Sequence, residues 1–129
     1  MKRMHGFTLL EVLVALAIFA TVAASVLSAS QRSLAIAEQL ELKAMAGWIA
    51  DNRVTELQLQ TPTPGEGRED KVLEFGGRDW EIHSEIDSTS DKDLRRVTVW
   101  VAPKLLRGGG VPVKERAVKM LTGFLAVRG

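Results

Sequence analysis

The chain has 129 residues, a formal charge of +1, two histidines and no cysteine. That length leaves room for one modest core beside any membrane segment. Near-neutrality offers no general attraction to nucleic acid, and the lack of cysteine excludes disulfide and Cys-metal frameworks.

The N-terminus opens with Lys2, Arg3 and His5, and an almost wholly apolar run from Phe7 to Leu27 follows, interrupted by Glu11. About 20 apolar residues are what a helix needs to cross a bilayer. A carboxylate inside such a run costs roughly 3 kcal/mol near the centre of the membrane and less near its edge, so it suggests a function. A secretory signal has a shorter apolar region with a small-residue cleavage site after it; Ala24-Ser25-Val26 and Ser28-Ala29-Ser30 imitate one only weakly. An uncleaved signal anchor leaves Glu11 without a purpose. A short basic leader removed before the apolar run would put a new N-terminus at Phe7, one helical turn from Glu11. Lys2 and Arg3 precede the span and the next cations are Arg32 and Lys43, so the positive-inside rule keeps the start of the chain in the cytoplasm and exports the rest.

From Phe7 to Gln60 there is no proline and a single glycine, Gly47, which predicts one long helix of roughly 80 Å. Its first half is apolar all round. Its second half is amphipathic, with Leu34, Ala37, Leu40, Ala44, Met45, Trp48 and Ile49 on one face and Gln39, Lys43, Arg53 and Leu57 largely opposite. Ala17, Thr21, Ser25 and Ala29 recur every four residues, a small-residue ridge that lets helices approach closely in lipid.

Thr61-Pro62-Thr63-Pro64-Gly65-Glu66-Gly67 ends the helix. The period then shifts towards two. Lys71–Phe75 and Arg78–Asp87 predict a hairpin about Gly76-Gly77, with Trp80, Ile82 and Ile86 inward and Glu81, His83, Glu85 and Asp87 in water. Ser88–Asp93 is a polar loop and Leu94–Ala102 a third strand with Val97, Val99 and Val101 on one face. Pro103 and Gly108–Gly110 mark an excursion, and Arg116–Val127 is read as a closing strand, with a short helix as the alternative. The fold class is therefore α+β, a long N-terminal helix covering an antiparallel sheet of three to four strands.

No catalytic constellation, cofactor motif or metal site emerges. His5 lies at the N-terminus and His83 on the polar side of a strand, so no histidine pair is available for a metal. The triple glycine lacks the Lys-Ser/Thr of a phosphate loop. Asp87, Asp91 and Asp93 form an oxygen-rich loop whose spacing does not match a complete calcium site.

Gly6-Phe7-Thr8-Leu9-Leu10-Glu11-Val12-Leu13-Val14-Ala15-Leu16 resembles the class III signal of type IV pilins and type II secretion pseudopilins. The resemblance implies that a prepilin peptidase cuts after Gly6 and methylates Phe7, and that Glu11 serves assembly, with Ala17, Thr21, Ser25 and Ala29 packing helices. Removing Lys2 and Arg3 would take the charge from +1 to +1 − 2 = −1. By this resemblance 1–6 is a leader, 7–28 the membrane and filament-core helix, 29–60 the amphipathic helix of the head, and 61–129 a loop and sheet in the periplasm. The absence of cysteine argues against pilins whose C-terminal loop is closed by a disulfide. The short head, the missing C-terminal calcium loop, the run Leu9–Ala17 and the closing Leu121-Thr122-Gly123-Phe124-Leu125 look most like the I-class minor pseudopilins. This implies a hetero-oligomer with J- and K-class minor pseudopilins at a pseudopilus tip, anchored in the inner membrane. A minor pilin of a type IV pilus or of DNA uptake is the alternative within the family, and a binding domain on an uncleaved anchor the alternative outside it.

Overall fold

The computed structural model describes residues 8–105 and 110–128. The expectations for the 1–6 leader, for Gly6 and Phe7, and for Gly108 and Gly109 lie outside the described residues. Helix α1 spans Leu9–Leu59, 51 residues without a break, as the lack of proline requires. The chain divides after Gln39 into two compact units. The first contains the N-terminal part of α1, whose large side chains from Leu9 to Leu27 are exposed and which is long and apolar enough to cross a membrane.

The second unit is the head. Strands β1 (Gly67–Phe75), β2 (Arg78–Ser88), β3 (Leu94–Pro103) and β4 (Lys119–Ala126) form a four-stranded antiparallel sheet in the order β1-β2-β3-β4, and a one-turn helix α2 (Val113–Arg116) precedes β4. Gly76 and Gly77 both have positive φ, 63° and 74°, which is what a two-residue hairpin matching the strand twist demands. The core joins Ala46, Ile49, Ala50, Val54 and Leu57 of α1 to Trp80, Ile82, Ile86, Val97, Val99, Val101 and Leu125 of the sheet. The indole N–H of Trp80 donates to the Phe75 carbonyl at 3.2 Å, so the largest buried side chain leaves no polar atom orphaned.

Several expectations need correction. Leu34, Ala37, Leu40 and Ala44 are exposed, and the buried stripe starts at Ala46 and continues through Arg53 and Leu57, which the sequence placed on the opposite side. Ala46, Ile49, Ala50, Arg53, Val54 and Leu57 follow one another at helical spacing, so the sheet covers the face opposite the one read from Leu34 to Ala44. Arg53 is tolerated there because Glu69 and Ser84 accept its guanidinium. Trp48 stays half exposed yet stacks on Phe75 with ring centroids 4.7 Å apart. β1 begins at Gly67, four residues before the expected start at Lys71, because backbone pairing with β2 carries the charged Arg68–Asp70 stretch that side-chain alternation does not reveal. The Arg116–Val127 segment takes the strand form, as β4 from Lys119 to Ala126, and the one-turn helix Val113–Arg116 before it lies in the stretch read only as an excursion.

Candidate functional site

The described start of the chain is a capping box. Thr8 Oγ1 accepts the Glu11 backbone N–H at 3.1 Å, and Glu11 Oε2 accepts the Thr8 backbone N–H at 3.1 Å. The pattern Thr-x-x-Glu satisfies two helix-end donors reciprocally, and a carboxylate in the first turn also suits the positive end of the helix dipole. Thr8-Leu9-Leu10-Glu11 spells this signature in the sequence, where it was missed. Glu11 therefore has a role in its own chain, and its Oε1 accepts no hydrogen bond from the described residues.

Along the small-residue ridge, Thr21 Oγ1 donates to the Ala17 carbonyl at 2.8 Å and Ser25 Oγ to the Thr21 carbonyl at 2.9 Å. Both hydroxyls are satisfied within the helix, which removes the penalty for presenting them to an apolar environment. Ala20, Thr21, Ala24, Ser25, Ser28 and Ala29 line a shallow depression on this face. Ala17, Thr21, Ser25 and Ala29 are all exposed.

Two charge clusters organise the head. On the helix side of the sheet, Arg53 is 6 % exposed and reaches Glu69 at 2.7 Å, Glu56 at 3.3 Å and Ser84 Oγ at 3.4 Å. Burial by itself would raise the Glu56 carboxyl, but the charges of Arg53 and Lys71 outweigh it and hold the group below its ordinary value. This cluster fastens α1 to β1 and β2 through a cation that would be costly unpaired.

The opposite face of β2 is not the solvated surface that alternation predicted. His83 sits between two carboxylates, with Nδ1 2.6 Å from Asp70 Oδ1 and Nε2 3.1 Å from Glu85 Oε1. Glu85 is 8 % exposed and also receives Lys114 Nζ at 2.9 Å and Arg68 Nε at 3.4 Å. Lys114 in turn lies 4.7 Å from the centre of the Trp100 ring, and Arg116 pairs with Glu81. The segment around α2 thus folds over the outer face, and its cations are the reason β2 tolerates so many acids there. The hydrogen bond from Lys114 is the main cause holding the Glu85 carboxyl below its ordinary value; burial opposes it and His83 assists it. No sequence pattern announced this cluster, since its members come from β1, β2, β3 and α2.

Among the described residues, no group of three or more His, Asp or Glu side chains is arranged to hold a metal ion. In the loop after β2, Asp91 Oδ1 accepts the Asp93 N–H at 2.9 Å and Thr89 Oγ1 accepts the Asp91 N–H at 3.1 Å, so these side chains close turns.

The chain is similar to known proteins along its length. Residues 40–125 match the family described as type II secretion system (T2SS), protein I, and residues 1–27 match the prokaryotic N-terminal methylation motif. Type II secretion system protein I of Pseudomonas aeruginosa is 60 % identical over 125 residues, 97 % of each chain. The protein of the same name from Vibrio cholerae is 38 % identical over 88 % of this chain and 92 % of its own; that from Escherichia coli is 38 % identical over 79 % and 81 %. Among solved structures, a chain of the GspK-GspI-GspJ complex of the enterotoxigenic Escherichia coli type 2 secretion system has the same fold. Its TM-score is 0.55 at 22 % identity, covering 70 % of this chain and 99 % of that one.

Proposed function

The chain belongs to the type II secretion system protein I family, and from that premise we propose that it acts as a minor pseudopilin, a structural subunit rather than an enzyme. It assembles with J- and K-class minor pseudopilins into a hetero-oligomer at the tip of a periplasmic pseudopilus that supports export of folded proteins. The membership carries this reading; the long helix over an antiparallel sheet is the fold such a subunit needs, and the solved complex of three such subunits supports the choice of partners.

The chain is membrane-anchored through the apolar part of α1. Lys2 and Arg3 keep the N-terminus in the cytoplasm, and the head lies in the periplasm. A prepilin peptidase cuts after Gly6, and Phe7 becomes the methylated N-terminus, in keeping with the match to the methylation motif over residues 1–27. The Phe7 ammonium, cationic at neutral pH with an α-amino reference value near 8, is then balanced by Glu11, of its own chain or of a neighbour. Oε2 remains committed to the Thr8 N–H while Oε1 is available to the amine. Each charge alone would be costly in a low-dielectric filament core, and the pair offsets that cost.

Mass spectrometry of the membrane-extracted protein tests the processing step: the expected N-terminus is methylated Phe7, and an intact Met1 in mature cells would overturn the reading. Glu11→Gln separates capping from charge, because glutamine keeps the acceptor of a capping box and loses the negative charge. Reduced incorporation into the pseudopilus is expected for Glu11→Gln and Glu11→Leu alike. Incorporation of Glu11→Gln at the wild-type level would leave capping as the residue's whole role.

A further inference from the structure

The two edges of the sheet are guarded very differently. In β1 the residues flanking the two-residue turn pair through hydrogen bonds from Phe75 outward, so Arg68, Asp70, Val72 and Glu74 turn their backbone N–H and C=O away from β2. Three of those four positions are charged, the usual device against pairing with another chain. In β4 the Val127 N–H donates to the Asp93 carbonyl at 2.9 Å. With Leu94 opposite Ala126 in register, this sets the parity: Met120, Thr122, Phe124 and Ala126 direct their backbone groups outward. From Met120 to Ala126 there is no charge and no proline.

The far end of this edge is already closed. Gln58 Nε2 donates to the Phe124 carbonyl at 3.2 Å, and Thr63 Oγ1 donates to the Ala126 carbonyl at 3.1 Å. The backbone groups of Met120 and Thr122 receive no such partner among the described residues. Met120 and Phe124 flank them on the outer face, each at least half exposed.

We propose that the Met120–Thr122 edge of β4, bordered by the exposed Phe124 side chain, is a strand-addition site, occupied by the exposed edge strand of a different pilin-like head running antiparallel to it. This deepens the assembly reading above and rests on it. An extended backbone is the ligand whose alternating donors and acceptors match such an edge. Which backbone follows from topology. Antiparallel pairing of β4 with the β4 of a second copy would run the two α1 helices in opposite directions, whereas chains anchored in one membrane by their N-termini run them alike. A four-strand meander avoids the conflict: β1 of a like-oriented head is antiparallel to β4. This chain's own β1 would set Arg68, Asp70 and Glu74 beside Met120, Thr122 and Phe124, charge against apolar surface. The occupant is therefore another subunit, with apolar or hydroxyl-bearing residues at its outward edge positions.

The test is recovery of J- and K-class partners with the full-length chain extracted from membranes. Thr122→Pro removes one outward N–H, a change edge strands tolerate, and Thr122→Val keeps the backbone intact. Val72→Pro makes the same lesion on the charged edge. Protease resistance of the head reports folding. Recovery of at least one partner falls by roughly tenfold or more with Thr122→Pro, equivalent to about 1.4 kcal/mol, while Thr122→Val and Val72→Pro behave as wild type. If Thr122→Pro loses protease resistance, Met120→Lys supplies the same reading by adding the charge that protects β1. Undiminished recovery in the β4 variants, or equal loss from Val72→Pro, overturns the strand-addition site while leaving the assembly reading intact. A wild-type chain that recovers neither partner defeats both.

Discussion

At the scale of single residues, close approach and charge pairing decide more than hydrophobicity does. A Cβ built on Gly123 would lie 2.8 Å from Val54 Cγ1, so glycine here is what lets β4 come against α1. Gly123→Ala should destabilise the head by about 1–3 kcal/mol through overpacking, and Val54→Ala should restore part of that loss; thermal unfolding of the single and double variants checks it. Glu85 presents a different case. Its carboxyl is held below the ordinary 4.5, chiefly by the Lys114 hydrogen bond, so the ionised form favours the fold. Its stabilisation is complete above the unfolded-state value and fades as pH falls through the lower folded value. Melting temperature should therefore drop on acidification below about pH 5, and Glu85→Gln should show a smaller acid-dependent part of that drop. The same variant at neutral pH should cost about 1–3 kcal/mol, because Lys114 and His83 lose the charge they face.

At the scale of elements, α1 keeps one conformation through two environments. Its N-terminal part needs apolar side chains and internally bonded hydroxyls; its C-terminal part needs a stripe matched to the sheet. Gly47 is the one residue in α1 that favours unfolding by backbone entropy, and a Cβ there meets only Lys119 Cε at 4.0 Å, an ordinary contact. Gly47→Ala should consequently raise stability by about 0.5–1 kcal/mol, read as a higher melting temperature of the detergent-solubilised chain. No change, or a decrease, would mean that the short side chain at 47 serves the approach of a neighbouring element. The strands divide the work differently. β2 and β3 form the buried centre, β1 is a charged edge tied to α1 through Glu69 and Lys71, and β4 is an edge free of charge from Met120 to Ala126, capped by Gln58 and Thr63 at its C-terminal end.

At the scale of the whole molecule, one chain combines an N-terminal anchor with a head whose sheet has a covered face, a bridged outer face and, in β4, an edge free of charge from Met120 to Ala126. The anchor depends on a long run free of charge beyond Glu11. Ile18→Arg puts a guanidinium near the middle of that run and should cost about 3 kcal/mol of membrane insertion. The expected readout is a large fraction of the chain released by alkaline carbonate, against full retention of the unaltered chain. Full retention of Ile18→Arg would mean that the apolar run does not anchor by spanning.

Much of this was legible in the residues themselves. The uninterrupted helix follows from the missing prolines, the hairpin from Gly76-Gly77, the central strands from Trp80, Ile82 and Ile86 and from Val97, Val99 and Val101, and the family from the run Gly6–Leu16, because each of these is local in sequence. What only the tertiary structure decided is non-local. Which face of α1 is buried depends on where the sheet lies, Arg53 and Leu57 are covered because they share that face with Ala46, Ile49 and Ala50, and Glu85 is enclosed because Lys114 and Arg68 arrive from other elements. Periodicity reports which side of an element differs from the other; it carries no information about what will lie against that side, and that contact fixes burial and charge.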